Sequence, residues 1–272
     1  MQPIPAGYPI ERLSGPSIIA FLLHWGLFGT LSVQLYLYYL AFPKDRKFTK
    51  CLVYGIYIVE FVQTMLFTHN AFAMFGYDFG DIKALTTMYF NWLTVPVMSA
   101  AGLLCVPNLR VVKVTNRPDI RDLRSSMCSL FVAIWLIYLQ VSLTSTVAAI
   151  ITGIYCFQAG DITKLDNMKT SIAVGIWCGG SALCDIVIAI CMTYYLTRHN
   201  TSFRQTRILV TKLIRLTIET GSVTAVVALL NLILFFAFPH QTFYGTPAII
   251  MPKLYANTVY MVLNSRIQIV GG

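Results

Sequence analysis

Seven long apolar runs, each of 19 or more residues, alternate with short polar segments along the chain. The runs lie at 14–42, 51–72, 86–107, 128–153, 171–196, 217–238 and 246–264. A bilayer core of about 30 Å requires about 20 helical residues, because each residue advances the helix by about 1.5 Å. The pattern therefore predicts an all-α polytopic membrane protein, a seven-helix bundle formed by one domain that covers residues 1–272.

The composition supports this prediction and excludes an ordinary soluble domain. The chain is 57% hydrophobic and 11% charged, whereas soluble domains average about 25% charged residues. The long first run has no basic segment before it, which distinguishes it from a cleavable signal peptide. We therefore expect an integral, multi-pass protein, either of the plasma membrane or of an internal membrane.

The basic residues predict the orientation of the bundle. The net charge is +9, and 15 of the 20 basic residues lie between runs one and two, three and four, five and six, or after run seven. Positively charged segments stay on the cytosolic side, so the amino terminus is expected outside and the carboxyl terminus in the cytosol. Anionic lipid headgroups explain these segments. The predicted partner is membrane lipid rather than nucleic acid.

Charged side chains inside the apolar runs are the candidates for function, because each costs about 2.5–3.5 kcal/mol at the bilayer centre. Only four occur there: Glu60, Asp185, Glu219 and Lys253. Glu219 follows Arg215 by four residues at a helix boundary, a spacing typical of an ordinary surface ion pair. Glu60 and Asp185 are both expected near the middle of the membrane.

Several further polar residues are predicted at the same depth as the two acids. Gln140, Asn257 and His24 are central in their runs, Gln63 is one turn from Glu60, and Lys253 is one turn from Asn257. One interpretation is a polar pocket for a lipophilic or small-molecule ligand. The other is structural hydrogen bonding between helices, with Lys253 as partner of an acid. The candidate pocket residues are Glu60, Gln63, Gln140, Asp185, Lys253 and Asn257.

Known enzyme and cofactor motifs do not appear in the sequence. The four histidines lie in different segments, which predicts no metal site. The nucleophile elbow, the phosphate-binding loop and the dinucleotide fingerprint are also missing from the chain. We therefore expect no cofactor, and an enzyme is less favoured than a binding protein. Gly179 and Gly180 are interpreted as sites of close helix packing.

Distinctive segments in both halves of the chain resemble a fungal family of multipass membrane proteins, domain of unknown function 6534. The segments are 60–64 (Glu-Phe-Val-Gln-Thr), 89–97 (Tyr-Phe-Asn-Trp-Leu-Thr-Val-Pro-Val), 213–225, 235–247, 252–257 and 263–266. The resemblance implies a seven-helix membrane fold. It implies no activity.

Four classes of function agree with these observations. The favoured one is a receptor-like protein or sensor of a lipid or small molecule, with an unidentified cytosolic partner. The alternatives are a proton-coupled transporter that uses Glu60 and Asp185, and an intramembrane acid-catalysed enzyme that resembles terpene cyclases. A scaffolding membrane protein also fits, since topology alone does not determine function.

Overall fold

The computed structural model of the chain describes residues 10–79, 81, 87, 127–159, 168–198, 204–238 and 243–265. The described elements are helical. They are α1 (Ile10–Ala41), α2 (Lys47–Phe72), α3 (Met127–Ala159), α4 (Met168–Arg198), α5 (Arg204–Ala237) and α6 (Gly245–Asn264). Helix α2 continues into one π-helical turn, Ala73–Tyr77. The predicted all-α class is therefore confirmed.

The helices coincide with the apolar runs wherever the chain is described. Six of the seven runs correspond to α1 through α6, whereas the run at 86–107 lies outside the described residues. Helix α5 begins at Arg204 and has 34 residues, so it extends well before the apolar run that starts at 217. The count of seven spans and the orientation of the termini remain predictions.

Four of the described helices are long and apolar enough to cross a membrane. The qualifying segments are Ser14–Ala41, Lys47–Tyr77, Gln140–Gln158 and Met168–Val187. Helix α5 contributes a shorter apolar segment, Gly221–Ala237. These lengths are those expected for a multi-pass membrane protein.

Apolar side chains face outward from the bundle, and many polar ones face inward. Leu22 on α1 and Val226 on α5 are 69% and 62% exposed. Glu60, Lys253 and Asn231, in contrast, are buried. In water this distribution would be unfavourable, but lipid tails solvate the outer surface, and the inner polar groups hydrogen-bond across helices.

Helix α6 is the most enclosed of the described helices. Thirteen of its 20 residues are buried, and it packs against α1 and α5, with a shorter contact to α2. Helix α4 in turn packs between α3 and α5, and α1 packs against α2. A displacement of α6 would therefore alter its packing against α1, α2 and α5.

The crossing of α3 and α4 depends on a small residue. A Cβ atom added at Gly180 would lie 3.0 Å from the Cβ of Ser145. The Ser145 hydroxyl also donates a hydrogen bond of 2.9 Å to the carbonyl of Trp177. Gly180 thus has the packing role predicted from the sequence. A Cβ atom added at Gly179 would meet no atom within 4 Å among the described residues.

Candidate functional site

A buried ion pair joins the middle of α2 to α6. The Lys253 Nζ lies 2.7 Å from Oε2 of Glu60, and the two side chains are 0% and 8% exposed. The same ammonium group donates to the Glu60 carbonyl at 2.7 Å and to Thr64 Oγ1 at 2.8 Å. The ammonium group therefore contacts three oxygen atoms of α2, two by hydrogen bonds and one in the ion pair.

The helix positions explain why both charges are remote from water. Glu60 lies near the centre of the apolar helix Lys47–Tyr77, and Lys253 lies eight residues after Gly245 at the start of α6. The ring of Phe28 on α1 covers the ammonium at 4.9 Å from its centroid, a distance at which the ring quadrupole attracts the cation. Removal of either charge would leave the other buried without its counter-charge.

Asn257 extends this polar group from α6 to α1. Its Nδ2 donates to the carbonyl of Leu27 at 3.1 Å and to the carbonyl of Lys253 at 2.8 Å. Its Oδ1 accepts a hydrogen bond of 2.9 Å from Thr30. The side chain therefore connects the backbone of α1 to the turn of α6 that carries Lys253.

Asp185 on α4 lies in a different contact. Its Oδ2 accepts a hydrogen bond of 3.2 Å from the hydroxyl of Tyr255. Tyr255 follows Lys253 by two residues, which places the two side chains about 200° apart around α6. Glu60 and Asp185 thus contact opposite sides of the same helix, and the structure does not bring them together.

The remaining predicted pocket residues divide between the buried group and the surface. Gln63 is fully buried on α2, one turn from Glu60. Gln140 is exposed on α3, a helix that packs chiefly against α4. The structure therefore assembles Glu60, Gln63, Lys253 and Asn257, but leaves Gln140 outside this group.

His24 is enclosed in α1 beside the same group. Its side chain is 0% exposed, and its ring centroid lies 4.7 Å from that of Phe67 on α2. It lies one turn before Phe28, whose ring covers the Lys253 ammonium. Within the described part of the chain, neither Nδ1 nor Nε2 has a hydrogen-bond partner. We refer to His24, Glu60, Gln63, Thr64, Lys253 and Asn257 as the polar cluster.

Two contact residues of this region escaped the reasoning from sequence. Thr30 has no distinctive signal, because a threonine hydroxyl in a helix ordinarily bonds a carbonyl of the same helix, here that of Leu27. Tyr255 resembles the tyrosines that anchor helices at the membrane surface. Its burial, at 2% exposure, follows from the packing of α6 on both sides and is not indicated by the sequence.

The chemistry of the polar cluster suits binding of a polar group. The ion pair is neutral overall, and an imidazole supplies hydrogen-bonding capacity that has no use within the described residues. Those residues contain no group of three or more metal-ligating side chains. An uncharged hydrogen-bonding group would satisfy the imidazole without disturbing the charge balance of the ion pair.

Comparison with known proteins finds a similarity in the carboxyl part of the chain. No curated protein and no solved structure matches it. Residues 181–268 match a family model described as a family of unknown function, DUF6534. The matched segment includes Asp185, Lys253 and Asn257, whereas Glu60 and His24 lie outside it. This match confirms, for residues 181–268, the resemblance to the family known as domain of unknown function 6534.

Proposed function

We propose that this protein is a receptor-like membrane sensor whose resting conformation is held by the ion pair between Glu60 and Lys253. The observation that carries the proposal is the 2.7 Å contact of two buried charges on different helices. A ligand that enters the polar cluster beside the pair would separate Lys253 from Glu60 and weaken the link between α2 and α6.

The cost of the pair supports a role beyond simple adhesion. Burying two charges requires desolvation that often cancels their attraction, so an apolar contact would join two helices at least as well. A buried pair is, however, a discrete contact that is either made or broken. Such a contact is suited to an element with two states, which a ligand then biases.

The position of α6 supports transmission of the change. Its Lys253 faces α2, its Asn257 bonds α1, and its Tyr255 bonds Asp185 on α4. Closer to the end of α6, the Tyr260 hydroxyl donates a 2.6 Å hydrogen bond to the Val53 carbonyl. Displacement of α6 would alter several of these contacts at once, including one near the predicted cytosolic end of α2.

The two alternatives from the sequence receive less support. A proton-coupled transporter or an acid catalyst was expected to use Glu60 and Asp185 together. The two carboxylates contact different residues of α6, Lys253 and Tyr255, on sides of the helix about 200° apart. The sensor requires only the first of these contacts.

Thermal unfolding of the purified protein with and without a total membrane lipid extract tests the proposal. The double variant E60Q/K253M lacks the pair without leaving a buried charge. The active lipid fraction is the part of the extract that shifts the unfolding temperature of the unmodified protein. Because a bound ligand no longer has to break the pair, we expect this fraction to bind the variant more tightly, within the typical allosteric range of about 5- to 150-fold.

A matched control removes one acid and one lysine elsewhere. The double variant E219Q/K50M changes an exposed glutamate on α5 and a half-exposed lysine on α2, and it should bind the fraction like the unmodified protein. Equal affinities in E60Q/K253M and the unmodified protein, or no response of either to the extract, would refute the sensor proposal.

A further inference from the structure

We infer that His24 is the hydrogen-bonding centre of a binding site for a lipophilic molecule that carries one hydroxyl group, such as a long-chain alcohol. The inference rests on the proposed function, because it names the ligand class for the polar cluster. The site lies between α1 and α2, next to Lys253 of α6.

The first argument is the state of the imidazole ring. His24 is 0% exposed, and both of its ring nitrogens lack a hydrogen-bond partner within the described residues. A neutral imidazole offers one donor and one acceptor. Buried polar atoms are almost always hydrogen-bonded, because leaving them unpaired in an apolar environment is unfavourable. Among the described residues, the partner that this ring requires is therefore missing.

The charge balance of the neighbourhood selects an uncharged group. Lys253 and Glu60 already compensate each other at 2.7 Å. A carboxylate or an amine would add a net charge to a buried site, at a large desolvation cost. A hydroxyl both donates and accepts a hydrogen bond, so it fits either tautomer of the ring. It also leaves the ion pair electrically neutral.

The surroundings of the ring select a lipophilic body for the same molecule. The ring of Phe67 packs beside it, with the two ring centroids 4.7 Å apart, and Phe21 packs in turn against Phe67 at 6.1 Å. The chain neighbours Leu23 and Trp25 are apolar and are 45% and 44% exposed, so the outer apolar surface of α1 begins at the residues next to His24. A molecule dissolved in the bilayer can therefore bring its hydroxyl to His24 while its chain stays among apolar groups.

Photolabelling of the full chain in phospholipid nanodiscs tests this site directly. The probe is a hexadecanol derivative with a diazirine in its chain and a terminal alkyne. We compare it with the same derivatives of hexadecanoic acid and hexadecane. The alcohol should label peptides around His24 and Phe67 about tenfold more than the alkane, as expected for one hydrogen bond to a buried group. Equal labelling by the alcohol and the alkane would overturn the inference.

Variants of the ring separate hydrogen bonding from packing. His24→Phe keeps an aromatic ring and should lose the preference for the alcohol, whereas His24→Gln restores a donor and an acceptor and should retain it. His69→Phe, at an exposed histidine on the same α2 helix as Phe67, is the matched control and should label normally. An unchanged preference in His24→Phe would contradict the proposed site.

A spectroscopic measurement covers the case in which His24→Phe does not fold. In protein labelled with ¹⁵N-histidine, hexadecanol should shift the ring signals of His24, and hexadecane should not. Ring signals that show existing hydrogen bonds and ignore the alcohol would refute the inference. These readouts concern binding at His24 alone. They can be negative while the ion pair still behaves as a switch, and they can be positive while the ion pair does not.

Discussion

Lys253→Met is expected to lower the free energy of unfolding by about 3–5 kcal/mol, the range for breaking a buried ion pair by removing one partner. The thioether side chain is similar in length but supplies no charge and no donor. The Glu60 carboxylate would lose its only described counter-charge, and Thr64 would lose a donor at 2.8 Å. Reversible unfolding in mixed detergent micelles measures the change.

A second substitution, at Glu60, gives the decisive control for this variant. Adding Glu60→Gln removes the uncompensated carboxylate, so the double variant should recover much of the lost stability, as expected for coupled residues. Lys50→Met is the matched single change, because Lys50 is half-exposed and contacts only the Pro43 carbonyl in the described contacts. A Lys253→Met effect no larger than that of Lys50→Met would contradict the importance of the pair.

Gly180→Leu is expected to destabilise the crossing of α3 and α4 by about 1–3 kcal/mol, the usual cost of overpacking. Its Cβ atom would lie 3.0 Å from the Ser145 Cβ and 3.2 Å from the Ser145 Oγ. The helices would have to separate, which weakens the hydrogen bond from Ser145 to the Trp177 carbonyl. The same unfolding measurement reports the loss.

The adjacent glycine makes this comparison specific. Gly179→Leu is the same substitution one residue earlier in α4, at a position where an added Cβ meets nothing within 4 Å among the described residues. Its effect should be much smaller, because the added Cβ has no close contact there. Both variants share the same gain in helix propensity, so their difference reports the contact with Ser145. Equal losses in the two variants would mean that the contact with Ser145 does not limit the packing of α3 and α4.

The helices were predictable because the bilayer requirement acts on long segments. A run of about 20 apolar residues is recognisable without any knowledge of packing. The depth of Glu60 followed from the same reasoning, since it needs only the residue count from the end of a run. The start of α5 at Arg204 goes beyond the apolar run, because helix formation also continues through basic residues.

The partners of the polar residues were less predictable, because they depend on how each helix is rotated. Lys253 and Tyr255 are two residues apart, yet they contact Glu60 and Asp185 on different helices. Gln140 is predicted at the same depth as the acids, yet it is exposed on α3. Depth follows from counting, whereas the face of a helix that meets its neighbour is set by packing among all side chains. The sequence therefore identified the two acids as candidates, but it could not show that they contact different residues on opposite sides of α6.

A direct distance measurement between the two charges tests the central claim that ligand binding breaks the pair. The chain has three glutamates, Glu11, Glu60 and Glu219, and Glu60 has Lys253 within ion-pair distance. Solid-state NMR of protein labelled with ¹⁵Nζ-lysine and ¹³Cδ-glutamate detects dipolar coupling at such short range. Strong coupling should appear in phospholipid bilayers, vanish in E60Q/K253M, and weaken when the active lipid fraction is added. A coupling that persists unchanged at saturating lipid would contradict the account.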